Sequence, residues 1–233
     1  WSKIAVPSNW EQQGFGGYSY GHDKIKTKEV GMYKHPFKTD REWKGKKVFI
    51  VFEGAMTDTE VKINGKQAGA IHQGGFYQFK YDITNLLNYG SNNVLEVKVS
   101  KMSADSSVNR AERNGDFWVL GGIYRPVYLT IVPANYIERV AIDAKADGSF
   151  YMDVYGALKE SHTLEAEIQT LSGEKFGEVV QVPGSSGKGK WIIKSKVQDP
   201  ALWTAETPNL YQVVVSIREG LKTIHTITQR FGF

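Results

Sequence analysis

Polar and apolar residues alternate at every second position in much of this sequence, and this pattern restricts the fold more than any other feature. Residues 59–63 and 93–99 both show it, and residues 47–52 form a short, largely apolar run. The segment 59–63 stops at Asn64-Gly65, a pair typical of the type I′ turn of a β-hairpin. Because side chains alternate between the two faces of a strand, the pattern predicts antiparallel strands with one buried face.

Segments with a strand pattern continue along the whole chain. They are residues 75–81, 124–132, 136–140, 150–154, 164–168, 191–193, 211–217 and 223–227. The one fair helical candidate is a single turn over 82–87, which Asp82 or Thr84 would cap, and no segment shows three turns with a 3.6-residue period. The chain is therefore predicted to be all-β.

The predicted strands fall into two groups that separate near residues 133–135. About seven short strands in the second group, with turn signals such as Asp147-Gly148, fit an immunoglobulin-like sandwich. We predict a jelly-roll-like (galactose-binding-domain-like) β-sandwich over residues 1–133 and an immunoglobulin-like β-sandwich over residues 134–233. Residues 183–189, which include Ser186, are predicted to form an exposed loop within the second domain.

Composition and charge exclude several classes of partner. Hydrophobic residues make up 41% of the 233 residues, enough for a core without covalent staples. The 29 Lys and Arg residues exceed the 25 Asp and Glu residues by four and are scattered, so no nucleic-acid partner is predicted. No apolar stretch approaches the roughly 18 residues of a membrane span, so no membrane partner is predicted either.

The sequence also lacks the usual signals of metal and cofactor sites. There is no cysteine, and the five histidines are dispersed, so we predict no metal site. No Gly-rich phosphate loop or nucleophile elbow occurs, and we predict no cofactor. The sequence does not open with a charged segment followed by an apolar run, so it contains no predicted signal peptide.

Six motifs, in order along the chain, resemble those of the amino-terminal domains of glycoside hydrolase family 2. Each motif alone is weak, but the series spans the whole sequence. The matching segments are Val6–Gly16 (P-x-N-W-E-x-x-G), Gly31–Phe37 (G-x-Y-x-x-x-F), Phe52–Lys66 (F-E-G, then V-x-x-N-G), Asp116–Arg125 (D-x-W-x-x-x-G-I-[FY]-R), Leu202–Tyr211 (similar to L-W-S-P-E-x-P-x-L-Y) and Arg230–Phe233 (the end of R-x-F-G-F).

The resemblance implies a sugar-binding domain and an immunoglobulin-like domain of a retaining, exo-acting, β-galactosidase-like enzyme that hydrolyses O-glycosidic bonds. Its partner would be a β-glycoside, and its catalytic barrel would follow Phe233. The two carboxylates that such an enzyme needs, about 5–5.5 Å apart, would lie on that barrel, so the present chain alone is predicted to be inactive. The family's usual role implies a periplasmic or secreted bacterial protein, and a homo-oligomer is compatible with it.

Three residues are candidates for substrate binding. In β-galactosidase-like members, the aspartate at the position of Asp116 reaches toward the barrel and accepts hydrogen bonds from sugar hydroxyls, whereas its alternative role is to cap a turn. His22 stands where such members often have an asparagine, a departure that puts galactoside specificity in doubt; its alternative is a solvated loop histidine. Trp118 is a candidate platform for stacking on a sugar ring, although burial in the sandwich is the interpretation that its aromatic character favours.

Two other functions remain open at this point. A free-standing carbohydrate-binding module with an accessory immunoglobulin-like domain would bind sugar through exposed aromatics such as Tyr18, Tyr20, Phe76 or Trp118. A structural or adhesion protein built of tandem sandwiches would leave the ordered motifs unexplained. The cluster 202–208, with Leu202 and Trp203, is predicted to pack within the second sandwich.

Overall fold

The computed structural model describes residues 1–185 and 187–233, and the chain forms two compact units, Trp1–Ile131 and Val132–Phe233. Ser186, in the predicted loop, lies outside the described residues. Strands dominate both units, as the alternating sequence pattern predicts, and the all-β fold class is confirmed. No helix in the described part of the chain is long and apolar enough to span a membrane.

The first nine strands build the first unit. Their bounds are β1 Ser19–Tyr20, β2 Val30–Lys38, β3 Lys47–Phe52, β4 Asp58–Ile63, β5 Lys66–Gln67, β6 Phe79–Asp82, β7 Asn92–Ser100, β8 Trp118–Val119 and β9 Val127–Val132. A four-stranded sheet has the order β2-β7-β4-β5, a three-stranded sheet has the order β6-β3-β9, and β1 pairs with β8 in a separate two-stranded ribbon. The predicted strand over 75–81 is wrong in its first half, since β6 begins only at Phe79.

The core of the first unit lies between the two larger sheets. Strand β3 is buried along almost its whole length, which explains why its sequence is a continuous apolar run rather than an alternating one. Strand β4 buries Val61 and Ile63 and leaves Glu60 and Lys62 half-exposed, as its period-two pattern predicts. Trp10, from the segment before the first strand, packs into the same core.

The second unit contains the other seven strands. Their bounds are β10 Tyr136–Ala144, β11 Ser149–Leu158, β12 Thr163–Thr170, β13 Val180–Pro183, β14 Gly187–Lys196, β15 Tyr211–Glu219 and β16 Lys222–Phe231. They form two antiparallel sheets with the orders β10-β11-β14 and β13-β12-β15-β16. Alternate residues of β11 and β12 face the core between these sheets. A three-plus-four arrangement of this kind is an immunoglobulin-like sandwich.

The predicted exposed loop at 183–189 is shorter in the structure, because β14 already begins at Gly187. The short helical elements are also only partly predicted. The expected turn over 82–87 is a 3₁₀ helix at Thr84–Leu86, and Asp82 Oδ1 accepts a hydrogen bond from Thr84 N at 3.1 Å. Three other short helices in the described residues were not predicted: 3₁₀ helices at Glu11–Gln13 and Arg41–Trp43, and the α-helix α1 at Ser106–Glu112. The sequence of α1 has no apolar periodicity, and its signal is the cap Asp105, whose Oδ1 accepts from Ser107 N.

The prediction that the cluster 202–208 packs within the second sandwich is wrong. Leu202 and Trp203 are 42% and 50% exposed, and the whole segment 201–210 lies at the surface. Backbone hydrogen bonds rather than burial hold it, including the bond from Trp203 N to Phe233 O at 2.8 Å. The aromatic part of the core is formed instead by a connected cluster of four rings, those of Phe150, Tyr211, Phe231 and Phe233.

Candidate functional site

The two-stranded ribbon of the first unit brings together segments that are about a hundred residues apart in sequence. Ser19 is the register partner of Val119, and Tyr20 is the partner of Trp118. The pairing continues with a hydrogen bond from Gly21 N to Phe117 O at 2.8 Å. We term residues 18–22 and 116–119 the aromatic ribbon. All three candidate binding residues, His22, Asp116 and Trp118, belong to it.

The rings of the aromatic ribbon contact one another edge to face. The Trp118 ring centroid lies 6.0 Å from that of Tyr18 and 5.4 Å from that of Tyr20, with interplanar angles of 81° and 69°. The His22 ring lies 5.8 Å from the Tyr20 ring at 66°. Edge-to-face contacts fix the orientation of each ring without stacking its faces. The Trp118 and Tyr18 rings remain 59% and 57% exposed in this arrangement.

The interpretation that Trp118 is buried in the sandwich is wrong. Trp118 is 59% exposed and Tyr18 is 57% exposed, whereas Val119 is fully buried. The physical reason is the period of the strand: Val119 points into the unit, so its neighbour Trp118 points out. Exposure of the ring is a requirement for a stacking platform, and Trp118 meets it.

Asp116 is exposed, and its carboxylate accepts no hydrogen bond from any residue that the structure describes. The turn-capping role that was its alternative belongs instead to Asp23, whose Oδ2 accepts a 2.6 Å hydrogen bond from Tyr20 N. That bond closes the turn carrying His22, which is also exposed. Asp116 therefore presents an uncommitted carboxylate beside the aromatic rings, and a carboxylate is a strong acceptor for hydroxyl groups. The substrate-binding roles of His22, Asp116 and Trp118 stay predictions.

Of the other aromatic candidates for sugar binding, Tyr20 lies in the aromatic ribbon and Phe76 lies outside it. Tyr20 lies in the ribbon, half-buried, with its ring between those of Trp118 and His22. Phe76 is exposed but lies in the segment before β6, outside the ribbon. Sequence alone did not separate them, because the pairing of β1 with β8 joins distant segments.

A buried lysine, which no sequence motif indicates, contacts the segments next to the ribbon. The Lys101 and Glu11 side chains have no solvent exposure, and their Nζ and Oε1 atoms are 2.7 Å apart. Lys101 Nζ also lies 3.5 Å from Glu29 Oε2. Burial of the Glu29 carboxyl acts to raise its pKa, but hydrogen bonds from its own backbone, from Thr27 and from Gly17, with the charge of Lys101, outweigh burial and lower the pKa. The one available signal was Glu11 within the Trp10-Glu11 motif.

The fold and the ribbon together define the class of this molecule. It is a tandem β-sandwich protein whose first unit carries exposed aromatic rings and a free carboxylate, a combination suited to carbohydrate recognition. Residues 1–133 match the family described as "Glycosyl hydrolases family 2, sugar binding domain", and residues 135–233 match "Glycosyl hydrolases family 2". The chain belongs to glycosyl hydrolase family 2, and the resemblance drawn from its six motifs is confirmed.

The curated relatives include proteins named as β-galactosidases and proteins named as β-glucuronidases. A β-galactosidase of Priestia megaterium is 30% identical over 100% of this chain and 25% of its own length. A β-glucuronidase of Formosa agariphila is 29% identical over 100% of this chain and 26% of its own length. Among solved structures, a putative β-galactosidase from Bacteroides fragilis superposes with a TM-score of 0.80 at 28% identity, over 100% of this chain and 36% of that one. The chain thus spans about a quarter to a third of the relatives' length.

Proposed function

We propose that this chain is the non-catalytic amino-terminal part of a retaining, exo-acting glycoside hydrolase of the β-galactosidase type, which hydrolyses O-glycosidic bonds in a β-glycoside. The aromatic ribbon would form part of the wall of the active-site mouth. The second unit would brace a catalytic barrel that follows Phe233. The relatives support this proposal because they are named as glycosidases and are about four times as long as this chain.

One observation carries the proposal: the pairing of β1 with β8 gathers His22, Asp116 and Trp118 on one exposed edge. The exposed indole ring of Trp118 suits the apolar C–H face of a pyranose ring, and the free carboxylate of Asp116 suits its hydroxyls. A histidine nitrogen can donate to or accept from a further hydroxyl. The ribbon thus offers the mixed apolar and polar contacts that orient a sugar.

The buried carboxylates of the first unit support a non-catalytic role for the chain. Both Glu11 oxygens lie 3.1 Å from Gly121 N, Asp58 Oδ2 accepts from Ala104 N at 2.7 Å, and Glu112 Oε2 accepts from Gly75 N at 2.7 Å. Each of these side chains therefore fixes a loop of the sandwich. A retaining glycosidase instead needs one carboxylate as nucleophile and a second as acid and base beside the same glycosidic bond.

The deciding experiment compares this chain with a form extended through the natural end of the gene. Both are assayed on aryl β-galactoside, β-glucuronide and β-mannoside. We expect turnover by the extended form alone, and the best substrate names the sugar. In the extended form, Asp116→Asn should lower kcat/KM more than the matched control Asp147→Asn, because Asp147 lies in an exposed turn of the second unit. Turnover by the short chain, or none by the extended form, contradicts the proposal.

A second candidate, a free-standing carbohydrate-binding module, is favoured by the exposure of Tyr18 and Trp118 within this chain. It predicts that the 233-residue chain binds oligosaccharides by titration calorimetry while the extended form turns over none of the three substrates. The two candidates are thereby separated, since they differ in the activity of the extended form.

A further inference from the structure

We propose that Lys101 is the positioning residue of the aromatic ribbon: its buried ammonium group is connected through Glu11, Gly17 and Thr27 to both strands of the ribbon and fixes the orientation in which their rings meet a sugar. The significance of that orientation for sugar binding depends on the proposed function. The positioning itself depends only on the contacts of the ammonium group.

The Lys101 ammonium group has as many hydrogen-bond acceptors around it as it has protons to donate. Nζ lies 2.7 Å from Glu11 Oε1, 2.6 Å from Gly17 O and 2.8 Å from Thr27 Oγ1. An ammonium group carries three N–H donors, so these contacts satisfy it fully. A buried charge persists only where it is paired and hydrogen-bonded in this way. The three hydrogen bonds of Nζ therefore hold Glu11, Gly17 and Thr27 at fixed positions relative to one another.

Two of the partners control the strand that carries the tyrosines. Gly17 O is the carbonyl group immediately before Tyr18, and Gly17 N donates to Glu29 Oε1 at 2.8 Å. The hydroxyl of Thr27 lies 3.0 Å from that of Ser19, and Thr27 N donates to Ser19 Oγ at 2.8 Å. Ser19 is the first residue of β1. The ammonium group thus holds β1 through the peptide before it and through its first side chain.

The third partner controls the strand that carries the tryptophan. Glu11 binds Nζ through Oε1, and both of its carboxylate oxygens lie 3.1 Å from Gly121 N. Gly121 follows closely after β8, and its carbonyl oxygen accepts from Trp10 N at 3.3 Å. The Trp10-Glu11 pair thereby fixes the position of Gly121, two residues after the end of β8. The same ammonium group therefore links the two strands of the ribbon from below.

A purely stabilising role does not explain this arrangement. Replacing a buried ion pair by well-packed apolar residues of similar volume is often neutral or stabilising. The distinctive property of the pair is that it imposes one geometry on three separate segments, around Glu11, Gly17 and Thr27. We therefore expect its removal to change the position of Trp118 more than the stability of the unit as a whole.

The test uses the 233-residue chain labelled with 5-fluorotryptophan and observed by ¹⁹F NMR, with the Trp118 signal assigned from its loss in Trp118→Phe. The main variant is the double substitution Lys101→Met with Glu11→Gln, which avoids leaving one buried charge unpaired. The matched control is Lys98→Met, since Lys98 is exposed on strand β7, and Lys101 directly follows the end of that strand. Thr27→Val removes the hydroxyl that contacts Ser19 Oγ, Gly17 O and Lys101 Nζ but keeps the pair of Lys101 with Glu11. It serves as a milder variant should the double variant fail to fold, with a smaller change of the Trp118 signal in the same direction.

We expect the Trp118 signal of the double variant to broaden or to move toward the shift of free 5-fluorotryptophan, while the signals of Trp43 and Trp191 stay in place. Lys98→Met should leave all signals unchanged. An unchanged Trp118 signal in a folded double variant, or an equal disturbance at Trp43 and Trp191, overturns the proposal. In an extended form that is active, the double variant should raise KM about tenfold, because small misplacements of binding groups weaken productive contacts strongly. The ¹⁹F result requires no sugar, so it separates failure of the positioning role from failure of the proposed function.

Discussion

Tyr20 and Trp118 are register partners across strands β1 and β8, and their rings meet edge to face with centroids 5.4 Å apart and an interplanar angle of 69°. In an antiparallel ribbon, directly opposed side chains lie on the same face, so this pairing aligns both rings on one surface. The Tyr18 ring also contacts the Trp118 indole edge to face, with centroids 6.0 Å apart. The Trp118 ring is consequently held by its neighbours while remaining largely exposed.

The first prediction concerns the contribution of that ring to sugar binding. Trp118→Ala should weaken glycoside binding about two- to twelvefold, which corresponds to the roughly 0.5–1.5 kcal/mol of an aromatic contact. The free energy of unfolding should change little because the side chain is 59% exposed. The measurement is KM in the extended protein, or affinity by titration of the chain. Trp203→Ala is the matched control, since Trp203 is 50% exposed in the other unit; an equal loss in both variants would contradict the assignment.

The second prediction concerns the close approach of backbone segments beside the ribbon. A Cβ atom at Gly21 would overlap the carbonyl oxygen of Gly115 and lie 2.7 Å from its nitrogen. Gly21→Ala should therefore push the loop before Asp116 away from β1 and destabilise the first unit by about 1–3 kcal/mol. Hydrogen exchange at the amide of residue 21, which bonds to Phe117 O, should accelerate. Gly189→Ala should change neither quantity, because its Cβ would meet Trp191 only at an ordinary 3.4 Å.

Most of the fold could be predicted from the sequence because burial in a sandwich follows a period of two. Strand β4 ends where Asn64-Gly65 was expected to turn the chain, and both residues have positive φ, 53° and 77°. Helix α1 escaped prediction because a polar, capped turn of this kind has no hydrophobic period. The segment 202–208 was misplaced because an apolar-aromatic composition does not distinguish a core from an exposed surface.

The candidate site could be predicted only in part. Asp116, Trp118 and His22 were selected through motifs and then proved to lie on one ribbon. The buried Lys101 that holds these residues in place could not be predicted, because in the sequence it is one more charged residue after an alternating strand. Its complete burial arises because the residue after β7 contacts the Trp10-Glu11 segment and the segment 17–29, which contains β1, and no local pattern encodes these contacts.

The third prediction separates the two roles of Asn64. Turn chemistry alone would allow glycine at this position, where φ is 53°. The side chain, however, donates through Nδ2 to Leu86 O and Asn93 Oδ1 at 2.9 and 2.8 Å, and its Oδ1 accepts from Val94 N at 2.9 Å. Asn64→Gly should therefore destabilise the first unit by about 3 kcal/mol, near 1 kcal/mol for each hydrogen bond lost.

Chemical denaturation measures this difference, and Asp199→Gly is the matched control. Asp199 also has a positive φ, 45°, but its side chain is exposed. That substitution should change stability by less than about 1 kcal/mol. A similarly small effect of Asn64→Gly would show that the turn conformation, and not the side-chain network, is what the asparagine provides.

The fourth prediction is a loss of stability of the second unit in mild acid that depends on His225. His225 Nδ1 accepts a 3.1 Å hydrogen bond from Ile137 N, so this nitrogen must be unprotonated in the folded state. Burial disfavours the charged ring and lowers the pKa of His225 below its usual value near 6.5. The unfolded chain then binds a proton more readily than the folded chain, and protonation favours unfolding. The stabilising effect of neutral His225 is therefore present above about pH 6.5 and is lost as the pH falls toward the lowered pKa.

His225→Phe removes both the acceptor and the titration. At pH 7.5 the variant should be less stable by about 1–3 kcal/mol, because Ile137 N–H is left buried without a partner. Between pH 7.5 and 5 its stability should fall less than that of the unaltered chain. Both the loss of stability at pH 7.5 and its change with pH are measured by calorimetry, on the unfolding transition that His225→Phe shifts. The control is His35→Gln, at an exposed position in the first unit. Parallel pH profiles for the chain and for His225→Phe would show that protonation of this ring does not limit the stability of the second unit.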